Sequence, residues 1–195
     1  MKKIKTLCVF CGASKGISPI YAEAARQLAD VILAADMTLV YGGGNVGLMG
    51  ELAHHMTTSG GKIIGVMPDF LIKNEIAHTE LSEFHIVDSM SARKTLITEL
   101  SDAFVLLPGG IGSLDEFFEI ITLSQVGLHN KPRGILNTAH YYDDLLKFLD
   151  HSVKEQFWNS ENRDRIIIEE NPQELVNGLL NYNAPLFDRW NTVTV

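Results

Sequence analysis

A doubly wound α/β fold is predicted for this chain: one parallel sheet of about seven strands with helices on both faces. Short apolar runs alternate with segments of helical periodicity along most of the length, the pattern of repeated β–α units. The apolar runs are continuous and do not alternate with polar residues, so both faces of each strand are expected to be buried. Glycine-rich corners follow several of the runs, and ligands of such sheets bind beyond the carboxyl ends of the strands.

Leu7-Cys8-Val9-Phe10-Cys11 is the first strand and ends at Gly12. Ser18 caps and Pro19 opens a helix to about residue 35. The second strand covers 37–41 and is broken by Gly42-Gly43-Gly44; a helix over about 46–58 follows and stops at Gly60-Gly61. The third strand, 63–67, is stopped by Pro68, and a polar excursion over 69–83 has room for one short helical turn. A short fourth strand, 84–87, leads to Asp88 or Ser89 as the cap of a helix carrying Arg93 and Lys94 up to Leu100. The fifth strand is 103–107. In the helix after Gly112, Leu114, Phe117, Phe118 and Ile121 form an apolar stripe with Glu116 on the other side. A strand over 133–137 with a helix over 141–153, and a strand over 165–168 with a Pro172-started helix to about 180, complete the series. Residues 181–195 carry no clear pattern and are read as a tail, loose or packed on a neighbour. No repeat or linker interrupts the series, so the expectation is a single doubly wound, Rossmann-like domain over 1–195.

Bulk properties narrow the partners. The chain has 195 residues, 46% apolar and 21% charged, enough for a core that needs no disulfide or metal. Its formal charge of −8 argues against nucleic acid and anionic membranes as partners. No apolar run is long enough to cross a bilayer, and the basic start Met1-Lys2-Lys3-Ile4-Lys5 lacks the apolar stretch of a signal peptide. Two cysteines fit a reducing, cytoplasmic setting.

The chemistry concentrates in Pro108-Gly109-Gly110-Ile111-Gly112-Ser113-Leu114-Asp115-Glu116, where a strand turns into a helix. Glycines let backbone N–H groups approach an anion, and the helix N-terminus adds unpaired donors and partial positive charge. A phosphate is held this way without a basic side chain. Glu116 stands about one turn inside the helix; it is either an ordinary first-turn acid favoured by the helix dipole or a group that acts on a sugar beside the phosphate. Gly42-Gly43-Gly44-Asn45-Val46-Gly47 satisfies the dinucleotide pattern G-x-G-x-x-G but follows the second strand instead of the first. Neither corner has the lysine of a P-loop. Arg93 and Lys94 are either a solvated surface pair or a pair of which one cation reaches the ligand edge. Cys8 and Cys11 have C-x-x-C spacing but lie on a strand, which favours burial over redox chemistry. His54-His55 has no partnering motif, and neither a metal nor a cofactor is expected.

The Pro108-to-Glu116 segment resembles the P-G-G-x-G-T-x-x-E signature of the LOG family, cytokinin riboside 5′-monophosphate phosphoribohydrolases once labelled lysine decarboxylases. Cys8-Val9-Phe10-Cys11-Gly12-Ala13-Ser14 resembles its first strand and loop, and Gly42-Gly43-Gly44-Asn45-Val46-Gly47-Leu48-Met49-Gly50 its G-G-G-x-x-G-L-M-G. Gln125-Val126-Gly127-Leu128-His129-Asn130-Lys131-Pro132 and residues 137–142 resemble its later segments. The resemblance implies hydrolysis of the N-glycosidic bond of a purine riboside 5′-monophosphate, a cytokinin nucleotide or AMP, to free base and ribose 5-phosphate. It implies that Gly110, Ile111, Gly112, Ser113, Leu114, Asp115 and Glu116 line phosphate and ribose. Arg93 and Lys94 match the family's R-K pair, Glu75 its upstream acid and Thr122 its helix threonine; Arg93 and Glu116 are the implied catalytic pair. A homodimer, or a higher assembly of such dimers, is implied as well, with residues of the neighbouring subunit in the site. Ser113 stands where the family has Thr, and Ser91 where it has His. A pyridoxal enzyme needs a Schiff-base lysine with partners for the cofactor, and no such arrangement surrounds Lys94. The competing readings are a mononucleotide sensor without turnover and an NAD-dependent oxidoreductase.

Overall fold

β1 (Thr6–Phe10) is central in a parallel sheet, pairing with β2 (Thr38–Tyr41) on one side and β5 (Ala103–Leu106) on the other. β3 (Ile63–Pro68) and β4 (Glu83–Val87) extend the first side, β6 (Arg133–Leu136) and β7 (Ile166–Glu169) the second. The order is β4-β3-β2-β1-β5-β6-β7, all parallel, in a computed structural model that describes residues 4–72 and 81–183. The chain therefore winds outward from β1 to one edge, crosses back, and winds outward to the other. The reversal lies between β1 and β5, and in such sheets the crevice at that point takes the ligand.

The helices are α1 (Pro19–Ala34), α2 (Gly47–Thr58), α3 (Asp69–Ile72), α4 (Met90–Leu100), α5 (Ile111–Gln125), α6 (Asp143–Lys154), α7 (Ser160–Asp164) and α8 (Pro172–Leu180). Strand alternation sorts them into two layers. Leu7, Val9, Leu39 and Val105 face α1, α2 and α8 in one core. Cys8, Phe10, Val40, Phe104 and Leu106 face α4 and α5 in the other. The five inner strands are thus buried on both faces, as predicted, whereas the edge strands depart from the expectation: β4 has no buried residue and β7 is only partly covered, because each has a neighbour on one side alone. Cys8 and Cys11 fall in different cores, both buried and free, as their strand position suggested.

Ser18 caps α1, its hydroxyl accepting from Ile20 N at 3.4 Å, and Ser89 caps α4, accepting from Ala92 N at 3.1 Å. Three elements depart from the sequence reading. α5 begins at Ile111, with Gly110 as its cap, and its buried face is Ser113, Phe117, Ile120, Ile121 and Ser124. Leu114 and Phe118 are only partly buried. Glu116 therefore adjoins the buried stripe instead of opposing it, because 113, 116 and 120 share one face of a helix. α6 starts at Asp143 and not at 141: a 3-10 turn, Thr138–His140, precedes it, with Ala139 and His140 in the left-handed region at φ 51° and 59°. The short polar α7 has no apolar periodicity to announce it. Glu75 and most of the tail lie outside the described residues.

Candidate active site

At the reversal point the β1 and β5 loops are stitched together. Leu107 N donates to Phe10 O at 2.9 Å, and Gly12 N donates to Pro108 O at 3.0 Å. The glycine corner then opens α5, whose cap Gly110 has no side chain to satisfy the first-turn donors. Nothing lies within 4 Å of the places where side chains would start at Gly110 and Gly112, so the corner faces open space. Ser113 is 6% exposed and turns inward. This is the anion-binding geometry expected of a helix N-terminus after glycines.

One turn further, Glu116 points into the same space and meets Arg93 from α4, Oε1 to Nη2 at 3.2 Å. Both side chains are nearly buried, 8% exposed for Arg93 and 11% for Glu116. The guanidinium packs against the β2 corner. A Cβ built on Gly42 would stand 2.1 Å from Arg93 Nη2, so the first glycine of the triplet is the space the guanidinium occupies. Cys11, Met49, Leu71, Met90, Arg93, Gly110, Gly112, Ser113, Asp115 and Glu116 enclose a cleft of about 300 Å³. Burial first, and then the charge of Glu116, pushes the Cys11 thiol well above its ordinary range, so the cleft thiol stays neutral.

The remaining predicted residues divide. Lys94 pairs with Asp115 at 3.2 Å and with Glu119, tying α4 to α5. The Glu119 carboxylate raises its pKa, the reverse of what an amine nucleophile requires. Ile111 is 82% exposed at the helix start. Leu114 packs partly into the core. Thr122 is exposed, with its hydroxyl donating to Phe118 O at 2.8 Å. Glu75 cannot be placed among the described residues.

The G-x-G-x-x-G match is no dinucleotide cradle. Gly47 has φ +60°, and a Cβ there would stand 2.2 Å from the Ala13 carbonyl carbon. Leu48 N donates to Gly12 O at 2.9 Å, so the β1 loop already covers the N-terminus of α2. His55, in the same helix, pairs with Asp30 of α1 at 2.7 Å. Leu71 and Met90 were not singled out from sequence, and Met49 only as part of the G-G-G-x-x-G-L-M-G segment; apolar residues near the starts and ends of elements give no signal of a site until the elements converge.

A family model described as "Possible lysine decarboxylase" matches residues 49–179. The chain is 45% identical over 165 residues to a cytokinin riboside 5′-monophosphate phosphoribohydrolase of Rhodococcoides fascians, covering 84% of this chain and 83% of that one. It is 42% identical over 186 residues to the phosphoribohydrolase LOG7 of Arabidopsis thaliana, covering 95% and 85%. Among solved structures it resembles the molybdenum cofactor carrier protein of Chlamydomonas reinhardtii, with a TM-score of 0.68 at 18% identity over 93% of this chain and 100% of that one. At that identity the likeness speaks for the fold alone. Sequence likeness to the phosphoribohydrolases runs through both strand-end corners and most of either chain, and on it the chain belongs to the LOG family, the cytokinin riboside 5′-monophosphate phosphoribohydrolases.

Proposed function

We propose that this protein hydrolyses the N-glycosidic bond of a purine riboside 5′-monophosphate, a cytokinin nucleotide or AMP, to free base and ribose 5-phosphate. One observation carries the reading: the near-buried Arg93–Glu116 pair, 3.2 Å apart, stands one turn from an open glycine-capped helix start. Phosphate binding alone requires neither side chain. The names of the relatives support the same substrate class.

The corner at 110–113 holds the 5′-phosphate through backbone donors, and this binding energy positions the ribose over Glu116. As the base departs, C1′ takes on oxocarbenium character, which a carboxylate stabilises. Glu116 also accepts a proton from the attacking water. The water oxygen bonds to C1′ as the bond from C1′ to the base nitrogen breaks; the base leaves with the bonding electrons and takes up the proton that Glu116 received from the water. Arg93 orients Glu116 and the leaving base but is a poor proton donor. Ser113 supplies the hydroxyl that threonine supplies in the family, and Asp115 at the cleft wall holds Lys94.

Glu116→Gln should remove most base release, read by chromatography with AMP and isopentenyladenosine monophosphate, while both nucleotides still bind. Near-normal release by this variant would overturn the mechanism. Binding without release by the wild type would favour a sensor. The family's dimeric assembly is part of the proposal. Exposed Ile111, Phe70 and Met90 lie on the two helices and the short turn around the cleft, and exposed Thr122 lies on α5, where a second subunit would cover them.

A further inference from the structure

We infer that Tyr141 is a positioning residue for the phosphate corner: its hydroxyl holds the Gly109 carbonyl away from the cleft so that the Gly110 amide faces it. The inference rests on reading residues 108–113 as the phosphate site. Three consecutive carbonyls, from the end of β5 into this loop, each receive a donor. Tyr142 Oη donates to Leu107 O at 2.8 Å, Gly12 N to Pro108 O at 3.0 Å, and Tyr141 Oη to Gly109 O at 2.9 Å. In a trans peptide the C=O and the next N–H point in opposite directions. Turning Gly109 O toward Tyr141 therefore turns Gly110 N–H away from it. A carbonyl oxygen left facing the cleft would repel a phosphate, so its removal matters as much as the amide's arrival.

The loop is the wall between two spaces. Tyr141 lines an outer cavity of about 490 Å³ with Ser14, Lys15, Tyr21 and Pro108. Gly110 and Ala13 line both that cavity and the cleft holding Arg93 and Glu116. The hydroxyl that fixes Gly109 thus acts from the side opposite the chemistry. Local structure is bent to deliver it. Ala139 and His140, successive residues in the left-handed region, turn the chain after β6. Asn137 closes that turn, its Oδ1 accepting from Tyr142 N and its Nδ2 donating to Asp143, each at 2.8 Å. The Tyr141 ring then meets Tyr21 and Tyr142 edge-on, at 5.7 and 4.7 Å. Two residues in an unfavoured backbone region are a feature to expect where a side chain must reach a fixed place.

Tyr141→Phe removes one hydroxyl and keeps the ring, and Tyr21→Phe serves as the control for ring packing alone. Calorimetry with ribose 5-phosphate should show about tenfold weaker binding to Y141F, the size of one lost hydrogen bond. KM for AMP should rise in proportion, with kcat and the melting midpoint little changed. Y21F should match the wild type. Amide exchange of ligand-free protein should be faster at 109–113 in Y141F than in the wild type. Unchanged exchange with unchanged ribose 5-phosphate affinity would overturn the inference, as would an equal loss in Y21F. Faster exchange in a protein whose wild type binds no ribose 5-phosphate would uphold the hold on the loop and overturn the phosphate reading.

Discussion

Gly42 lacks a side chain where Arg93 needs the room. Its position in a G-x-G-x-x-G string suggests a nucleotide turn, but the group that approaches its backbone is the guanidinium of another helix. Gly42→Ala puts a methyl group 2.1 Å from Nη2 and 3.1 Å from Cζ, so the guanidinium must leave its place beside Glu116. A catalytic group displaced by about 1 Å loses about a hundredfold in rate, so under the proposed hydrolysis kcat/KM for the nucleotide should fall to that extent in this variant. An alanine variant with wild-type kcat/KM would show that Arg93 tolerates displacement. Arg93 and Glu116 were legible as types at fitting spacings. Their contact was not, because 23 positions separate them in the chain and only the sheet brings α4 and α5 together.

At the level of elements, most strands and helices were legible because apolar runs and caps are local signals. The misreadings fall where local signals conflict. α5 starts earlier than Gly112 because Gly110 caps it without a side chain, and α6 starts later because of the left-handed turn before it. The α5–β6 connection carries a pH-sensitive tie. His129 is half-buried against Phe104, and its Nδ1 accepts from Lys131 N at 3.2 Å. Burial, and then the charges of Arg133 and Lys131, push its pKa from 6.5 down to about 4. Between those values the unfolded chain binds a proton that the folded chain does not, so stability falls as pH drops through the window. Urea unfolding from pH 6.5 to 4.5 should show this decline, and His129→Gln should flatten it. An unchanged slope in H129Q would place the titration elsewhere.

At the level of the whole molecule, Phe70, Met90 and Ile111 stand exposed around the cleft, and the proposed second subunit would cover them. Sedimentation velocity should give at least twice the 21.6 kDa of the chain at micromolar concentration, and Ile111→Asp should lower that mass and the activity together. A stable 21.6 kDa species with full activity would remove the second subunit from the proposal. The sequence by itself determined the doubly wound class, the strand-end corners and the glycine-rich turn that opens α5, since each is written in periodicity, caps and glycines a few residues apart. Only the tertiary structure decided which glycine corner stays open, which of two adjacent cations enters the cleft beside Glu116, and which tyrosine hydroxyls meet the carbonyls after β5. These depend on the strand order that joins β1 to β5, and contacts across that junction close only when distant segments meet.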